Sequence, residues 1–323
     1  MRPARTRLLA ILLVALLAAP GTWLRTALPQ DARPILHATP LDPGAARAGE
    51  LAIEGVWRLE SPNLHFGGYS ALLALRDGRL LAGSDRGRFL RFAPPGRPSQ
   101  PPRFGAIGGE IELTKYMVDV EALAGDRARD RVWAAYEGSN SIARYGPALA
   151  EGVSVEPPAM RGWSSNSGPE TLARLADGRF LVIEEGQPGF DGHAYRALLF
   201  PGDPVEGNEP IAFRYAPPAG LHAVDATPLP DGRVLILNRQ IVLGLPYSFE
   251  TAIVVADPRE IRAGEVWRGR AIGTLADPLP ADNFEGIAAV PRADGSVTIW
   301  LISDDNNSAF QGTLLYELRW KSS

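Results

Sequence analysis

Several residue types that define common reactive centres are absent or scarce in this chain of 323 residues. It contains no cysteine, which excludes disulfide bonds, thiolate metal sites, iron–sulfur clusters and a cysteine nucleophile. Only four histidines are present, so a bound metal would depend mainly on oxygen ligands. There is no G-x-S-x-G serine elbow, no P-loop and no dinucleotide-binding glycine pattern. Nothing in the sequence therefore supports an α/β-hydrolase or a nucleotide-binding fold.

A large excess of charge of one sign is also lacking. The 33 Lys and Arg residues against 37 Asp and Glu residues give a net charge of −4. The chain thus has no electrostatic footprint for nucleic acid, and we expect no such partner. No long amphipathic helical pattern follows residue 50, which argues against a parallel α/β sheet.

The first residues have the pattern of an export signal. Residues 1–7 carry three arginines, and residues 8–19 form an uninterrupted apolar run. This pattern predicts a signal peptide or N-terminal anchor in residues 1–21 and an exported protein, periplasmic or secreted. If it is not cleaved, Trp23–Leu24 would lengthen the apolar stretch into an anchor, the one membrane contact predicted. The Pro- and Ala-rich residues 22–48 are predicted as a linker, and residues 49–323 as the folded domain.

One pattern recurs along the folded domain: a short apolar strand, a polar turn and a second apolar strand. It is found in residues 69–83, 119–135, 168–183, 223–237 and 283–301. In four of these repeats the turn contains Asp-Gly, a strong hairpin signal that we expect to form a type I′ turn. Recurrence every 50 to 60 residues, with several short strands per unit, predicts an all-β fold of the β-propeller type.

The repeats predict five or six blades. Five are distinct, and the long fourth unit also contains Thr251–Ala256 and Gly269–Ala276, enough for a sixth blade. The alternating segment Leu51–Glu60 has no hairpin partner before it. We expect it to pair with the C-terminal strand Thr313–Trp320, so that N- and C-terminal strands close the ring and leave no exposed edge. The protein is expected to be a monomer.

Acidic residues open four of the repeats, just before the first strand. They are Glu121, Glu170, Asp225 and Glu285, with Ser70 at the same place in the first repeat. Because inner strands line the channel of a propeller, these carboxylates would crowd one mouth, where they either acquire raised pKa values or recruit a cation. Oxygen ligands favour Ca²⁺, or alternatively Mg²⁺. The alternative is structural, with each carboxylate accepting backbone N–H groups of its own blade.

Further oxygen ligands are expected where second strands end. They are Ser84–Asp85, Glu137, Glu184–Glu185 and the run 303–307, which includes Asp304. His222 stands three residues before Asp225 and is a candidate general base.

Over residues 65–320 the chain resembles the phytase-like (esterase-like activity of phytase) family of exported bacterial proteins. The runs that carry the likeness are GGYSALLAL, DVEALA, NSGPETLARLADGRFL, DATPLPDGRVLIL, DNFEGIA and SDDNNSAFQGTLLYEL. The resemblance implies hydrolysis of phosphomonoesters or phosphodiesters, with Ca²⁺-dependent propeller phytases among the relatives. It implies acidic family positions at Glu121, Glu170, Asp225, Glu285 and Asp304, and at Asp85 in the SDRG element. Two positions depart from the family pattern: Asn238–Arg239 replaces an acid–Arg pair, and Gly312 replaces a cation.

Three hypotheses follow. The first is a metal-assisted hydrolase of a small-molecule phosphate ester or another anion. Its predicted metal ligands are Glu121, Glu170, Asp225, Glu285, Asp85 and Asp304. Its predicted catalytic residues are Glu170, Glu285, Asp225 and Arg239, and the cations that could neutralise phosphate are Arg86, Lys115, Arg144 and Arg239.

The second hypothesis is a propeller lactonase or other ester hydrolase that binds one divalent metal through Glu170, Asn166, Asn238 and Asp304. The third is a non-catalytic binding propeller of the envelope.

Overall fold

The computed structural model confirms an all-β propeller. It describes residues 31–98, 100–109, 119–164, 167–186, 194–244, 247–277, 279–306, 308 and 311–321. Within these ranges the strands form five sheets, and the 3₁₀ segments are single turns at Pro158–Met160, Pro204–Glu206 and Pro258–Glu260. The predicted signal peptide lies outside the described residues. In the part of the chain that is described, no helix has the length and apolar character needed to cross a membrane.

The sheets are the blades, numbered by the chain order of their innermost strands. Blade 1 contains β4 (Tyr69–Ala74), β5 (Leu80–Ser84), β6 (Arg88–Phe92) and β7 (Arg103–Ala106). Blade 2 contains β8 (Val120–Asp126), β9 (Arg131–Tyr136), β10 (Ser141–Tyr145) and β11 (Gly152–Val155). Blade 3 contains β12 (Pro169–Arg174), β13 (Phe180–Glu184), β14 (Tyr195–Phe200) and β15 (Ile211–Tyr215), with β19 (Val266–Trp267) parallel at its edge. Blade 4 contains β16 (His222–Pro228), β17 (Val234–Val242), β18 (Ser248–Ala256) and β20 (Arg270–Leu275).

Blade 5 joins the two ends of the described chain. It contains β21 (Asn283–Pro291), β22 (Val297–Asp304), β23 (Thr313–Trp320), β3 (Leu51–Glu60) and β1 (His37–Pro40), with the short β2 (Arg47–Ala48) beside β3. The antiparallel pairing of β23 with β3, for example Leu315 opposite Trp57, confirms the predicted ring closure.

The ring has five blades, within the predicted range. The two segments considered for a sixth blade are β18 and β20. Since β18 pairs with β17 along its whole length, from Val234 opposite Ala256 to Val242 opposite Ser248, both segments belong to blade 4.

The predicted linker boundary is wrong. Strands β1 and β2 lie inside residues 22–48, yet both hydrogen-bond to β3. Strand β1 shows no alternation because it covers an outer edge and is exposed at every position, and β2 has only two residues, too few to show a pattern.

The core lies between the blades. Five clusters of buried apolar side chains each span two neighbouring blades, one cluster for every interface of the ring. Trp133 of blade 2, for example, packs edge-on against Phe180 of blade 3 at 4.9 Å between ring centroids. Because both faces of an inner sheet are covered, strands such as β13 and β22 are buried at every position.

The Asp-Gly hairpins form as predicted, but the turns are not type I′. In the first, Gly78 N–H donates to Leu75 O at 3.3 Å, Leu75 N–H donates to Arg79 O at 2.8 Å, and only Gly78 has a positive φ, +83°. This is a type I turn followed by a left-handed glycine. Asp77 stays at negative φ because its carboxylate accepts the Arg79 N–H at 3.1 Å. We call the side of the ring with these hairpins the turn end, and the opposite side, where the second strands finish, the mouth.

Candidate functional site

Every innermost strand contains one β-bulge, at the same place in each blade. The residue left out of the ladder is, in blade order, Ser70, Glu121, Glu170, Val224 and Glu285. A bulge bends its strand and changes the direction of the side chain it carries. We call these five positions the bulge ring, since the innermost strands contact each other in a closed circle.

Asp225 is not a member of the bulge ring, which corrects the predicted equivalence of the four acids. Asp225 pairs with Leu237 in the ladder, and Val224 is the bulged residue. The Asp225 carboxylate is fully buried and accepts N–H groups from Ala226 at 2.7 Å and Ile287 at 2.8 Å. It also accepts the N–H of Leu72. Asp225 therefore ties blades 4, 5 and 1 together and has a structural role.

A second ring of charged residues lies on the second strands or just after them, one position beyond the residue that pairs with the start of each bulge. The ladder residues opposite the start of each bulge are Ser84, Tyr136, Glu184, Asn238 and Ser303. The residues that follow them are Asp85, Glu137, Glu185, Arg239 and Asp304. We call these the upper ring. Blade 4 supplies no acid to either ring: it has Val224 in the bulge ring, where blade 1 also lacks an acid and has Ser70, and Arg239 in the upper ring.

Two bulge-ring acids, the half-buried Glu121 and the buried Glu170, lie among other carboxylates. Among the described residues, neither Glu121 nor Glu170 has a hydrogen-bond or ion-pair partner, and Glu170 is only 8% exposed. Burial raises the pKa of both groups well above the usual value. Nearby carboxylates raise these pKa values further, first Glu285 for Glu121, and first Glu121 followed by Glu185 for Glu170.

The acids of blades 5 and 1 belong to the same electrostatic group. Burial raises the pKa of Asp304, and repulsion from Glu285 and then Asp85 adds to it. Burial also raises the pKa of Asp85 to about 6, although Arg86 opposes the shift. Gly68, at φ +68°, allows this arrangement, since a Cβ there would lie 2.5 Å from Asp85 Oδ1.

Two triads of carboxylates have the spacing of cation sites. One is Asp119, Glu121 and Glu137, and the other is Glu137, Glu170 and Glu185; in each triad the oxygens lie within 4.8 Å of one another. Glu137 is shared, so the triads are continuous. The sequence named four of these acids, and it missed Asp119, whose only signal is its place two residues before Glu121.

Arg239 and Glu285 form an ion pair at the edge of blade 4. Arg239 Nη2 donates to Glu285 Oε1 at 2.7 Å, and the side-chain amide of Asn283 donates to the same oxygen at 2.7 Å. The Nε–H of Arg239 is buried and has no acceptor among the described residues. It is therefore a buried donor that lacks an acceptor in the described part of the chain, beside the acids of the mouth.

Other predicted contacts have structural partners. Arg144 pairs with Asp203 at 2.5 Å and Glu206 at 3.1 Å, away from the mouth acids, so its predicted phosphate role is wrong. Asn238 accepts the Tyr215 hydroxyl at 3.1 Å and donates to Ile236 O at 3.0 Å.

The remaining candidates lie at the mouth or outside the described part. Arg86 is at the mouth and donates to Phe66 O at 3.4 Å. His222 lies opposite Arg239, and its Nδ1 is 2.9 Å from the Tyr195 hydroxyl. Lys115 and Asn166 lie outside the described residues.

The fold and the site define a five-bladed β-propeller with a cluster of carboxylates at one mouth. The chain belongs to the Phytase-like family, described as esterase-like activity of phytase, which matches residues 64–307. The resemblance seen in the sequence is thereby confirmed, and membership supports a hydrolase-like role.

Solved structures with similar architecture are distant. A glutaminyl cyclase of Myxococcus xanthus is 13% identical, with 83% of this chain and 95% of that chain covered and a TM-score of 0.47. A nidogen/laminin complex is 9% identical, with coverage of 89% and 94% and a TM-score of 0.46. A protein of unknown function from Bacteroides thetaiotaomicron is 12% identical, with coverage of 83% and 66% and a TM-score of 0.44. Similarity at this level carries no argument about function. No curated protein matches the chain.

Proposed function

We propose that the protein is a metal-assisted hydrolase of phosphate esters and that its reactive centre is the acidic mouth. The observation that carries the proposal is the crowding of carboxylates around the buried Glu170 and the half-buried Glu121, neither of which accepts a hydrogen bond or forms an ion pair among the described residues. Uncompensated buried carboxylates are costly, and a bound cation removes that cost.

The donor set fits a hard divalent cation. The two triads offer only carboxylate oxygens, with Glu137 placed to bridge them. Carboxylate oxygens suit Ca²⁺ and, where geometry permits octahedral coordination, Mg²⁺. We propose Ca²⁺ as the resident ion, held by Glu121, Glu137 and Glu170.

The other residues at the mouth would bind and orient the substrate. A divalent cation, when bound, supplies charge neutralisation for phosphate oxygens and activation of water. The free Nε–H of Arg239 would donate to a phosphate oxygen, and the ion pair with Glu285 fixes its guanidinium plane. Asp225 has no catalytic role in this scheme, because its two oxygens are occupied by backbone N–H groups.

We propose that the protein is exported and acts in the cell envelope. This proposal rests on the basic and apolar pattern of residues 1–19. A small phosphate ester that reaches the periplasm or the medium is the substrate we propose, and the protein would act as a monomer.

The test is phosphate release from phosphomonoesters and phosphodiesters in Ca²⁺ and in EDTA. We expect turnover that requires the cation, and loss of about 100-fold or more in kcat/KM for Glu170→Gln and Glu121→Gln. Glu209→Gln is the matched control, since Glu209 is exposed and lies between β14 and β15 of blade 3. Turnover that ignores EDTA and both mouth variants would remove the proposal. Cation-dependent turnover of lactones, without phosphate release, would replace it with the lactonase.

A further inference from the structure

Blade 4 differs from the other blades in the hairpin it raises at the mouth. Its second strand β17 continues three residues past the upper-ring residue Arg239, whereas β22 of blade 5 ends at its upper-ring residue Asp304 and β5 and β13 end one residue before theirs. The ladder between β17 and β18 continues beyond Arg239 to the pair Val242 and Ser248. The hairpin therefore projects past the upper ring, on the side where the acids are replaced.

The projecting hairpin exposes apolar side chains. They are Ile241 at 53%, Val242 at 38%, Leu243 at 91% and Tyr247 at 47% exposure, and the neighbours Ile241 and Val242 lie on opposite faces of the ribbon. We call these four residues the apolar hairpin. The remaining exposed large hydrophobic residues of the described chain are single and scattered, namely Leu64, Val153, Ile211 and Val266. A local cluster of exposed apolar groups marks a binding surface, whereas scattered ones need no explanation.

Contacts between the two strands hold the base of the hairpin, just below the apolar residues. The Gln240 amide donates to Glu250 across the two strands at 2.8 Å, and the Tyr247 ring packs edge-on against Phe249 at 5.8 Å. The apolar surface is thus held on a paired β-ribbon at its base. A preformed apolar surface binds a ligand with little loss of conformational entropy.

Charged and apolar side chains therefore occupy different parts of the mouth. Carboxylates from blades 5, 1, 2 and 3 occupy one arc, while blade 4 supplies Val224, the unpartnered Nε–H of Arg239 and the apolar hairpin. An anion with an apolar substituent matches both parts. Its charged head would meet Arg239 and the proposed cation, and its substituent would lie on blade 4.

We propose that the apolar hairpin binds the alkyl or aryl group of an amphiphilic phosphate ester and so selects substrates with a large apolar substituent. This inference rests on the proposed function, because it takes the mouth as the place where the phosphate binds. Exposed position makes Ile241 and Leu243 suitable for substitution without disturbing the core.

The first test is a binding measurement that needs no turnover. Calorimetry of the Ca²⁺-loaded protein with methyl phosphate and octyl phosphate should show octyl phosphate binding at least about tenfold tighter, the effect of about two buried methylenes. In the Ile241→Ser/Leu243→Ser double variant the ratio should fall to within about twofold. Val153→Ser, which alters a residue 57% exposed on β11, is the control and should keep the ratio.

The second test follows hydrolysis of methyl and octyl 4-nitrophenyl phosphodiesters, which share one leaving group. The ratio of kcat/KM for octyl over methyl should fall in the double variant and not in the control. Equal binding and equal rates for both chain lengths in the native protein would overturn the inference while leaving the hydrolase intact. Chain-length selection in binding without any turnover would instead retain the hairpin and remove the hydrolase. If the double variant loses binding to phosphatidylcholine vesicles but keeps the octyl preference, the hairpin is a membrane contact and the inference is wrong.

Discussion

Carboxylates at the two ends of the propeller are the same chemical group in opposite surroundings. At the turn end, Asp77, Asp177 and Asp231 each accept the N–H of the arginine two residues later and contact its guanidinium group. The hydrogen bond from Arg79 lowers the pKa of Asp77. At the mouth, Glu121 and Glu170 have neighbours of their own charge and raised pKa values.

The difference shows what each end is built for. A carboxylate that is satisfied locally fixes a turn, and it can be repeated in every blade without interference. Carboxylates that converge on one axis cannot all be ionised cheaply unless a ligand compensates them. Repetition of an acid therefore fixes turns at one end of this ring, and at the other it gathers carboxylates that we propose bind a cation.

We expect the largest change in the free energy of unfolding at Asp225, an acid that does not follow the difference between the two ends. Asp225 lies among the innermost strands, yet it is satisfied by N–H groups like the acids of the turn end. Asp225→Ala would leave those donors buried without an acceptor, and we expect the free energy of unfolding to fall by about 3 to 5 kcal/mol. Urea denaturation measures this. A loss below about 1 kcal/mol would show that the blades are not held together at this point.

The second effect is in the pH dependence of stability, which should differ between the carboxylates of the mouth and those of the turn end. A raised folded pKa contributes stability below the unfolded value that is lost as pH rises through the folded one. For Asp85, the window runs from 3.8 to about 6. The lowered pKa of Asp77 acts in the opposite sense, and its contribution is lost only as pH falls below the usual value of 3.8.

The metal-free protein should therefore be most stable in mild acid. We expect its Tm to fall by about 5 °C between pH 4.5 and pH 7 in EDTA, and Ca²⁺ to cancel most of that fall. Thermal unfolding across this range, with and without the ion, provides the measurement. A Tm that is level in EDTA, or unaffected by Ca²⁺ at pH 7, would contradict the crowding of ionised groups at the mouth.

Neutral substitutions should change stability with opposite sign at the two ends. In EDTA at pH 7, Glu170→Gln relieves repulsion and should raise the free energy of unfolding by about 1 kcal/mol. Asp77→Asn weakens a partly exposed ion pair with Arg79 and should lower the free energy of unfolding by about 0.5 kcal/mol. Chemical denaturation of both variants beside the native protein gives the comparison. Destabilisation by Glu170→Gln would mean that its carboxylate has a partner that stabilises it.

Much of the fold was predictable because the repeat and its alternation are local. The bounds of Leu51–Glu60 and Thr313–Trp320 coincide with β3 and β23, since both strands alternate strongly and are flanked by turn residues. The turn type was not predictable from Asp-Gly alone, because the side chain of Asp77 selects the negative φ of a type I turn.

The sequence predicted that the site is formed mainly by acidic residues, but it did not predict which residue of each inner strand lies in the bulge. A bulge moves one residue out of the ladder, and nothing in the letters HAVDATP tells whether Val224 or Asp225 is displaced. Asp119 was missed for a related reason, since its approach to Glu121 and Glu137 depends on the path of the chain into blade 2. Convergence of side chains from different blades is a property of ring geometry, which spacing along the chain does not specify.

The smallest effect concerns Arg239, the cation that interrupts the acidic arc. Arg239→Gln removes a positive charge bound to Glu285, so the mouth becomes more negative. We expect Ca²⁺ to bind about threefold tighter and octyl phosphate to bind about threefold weaker to the Ca²⁺-loaded variant. Arg144→Gln is the control, because Arg144 pairs with Asp203 away from the mouth and should change neither constant. Calorimetry measures the binding of both ligands. Weaker Ca²⁺ binding to Arg239→Gln would show that Arg239 positions the acids. Tighter Ca²⁺ binding together with weaker octyl phosphate binding would identify Arg239 as the anion contact of the mouth.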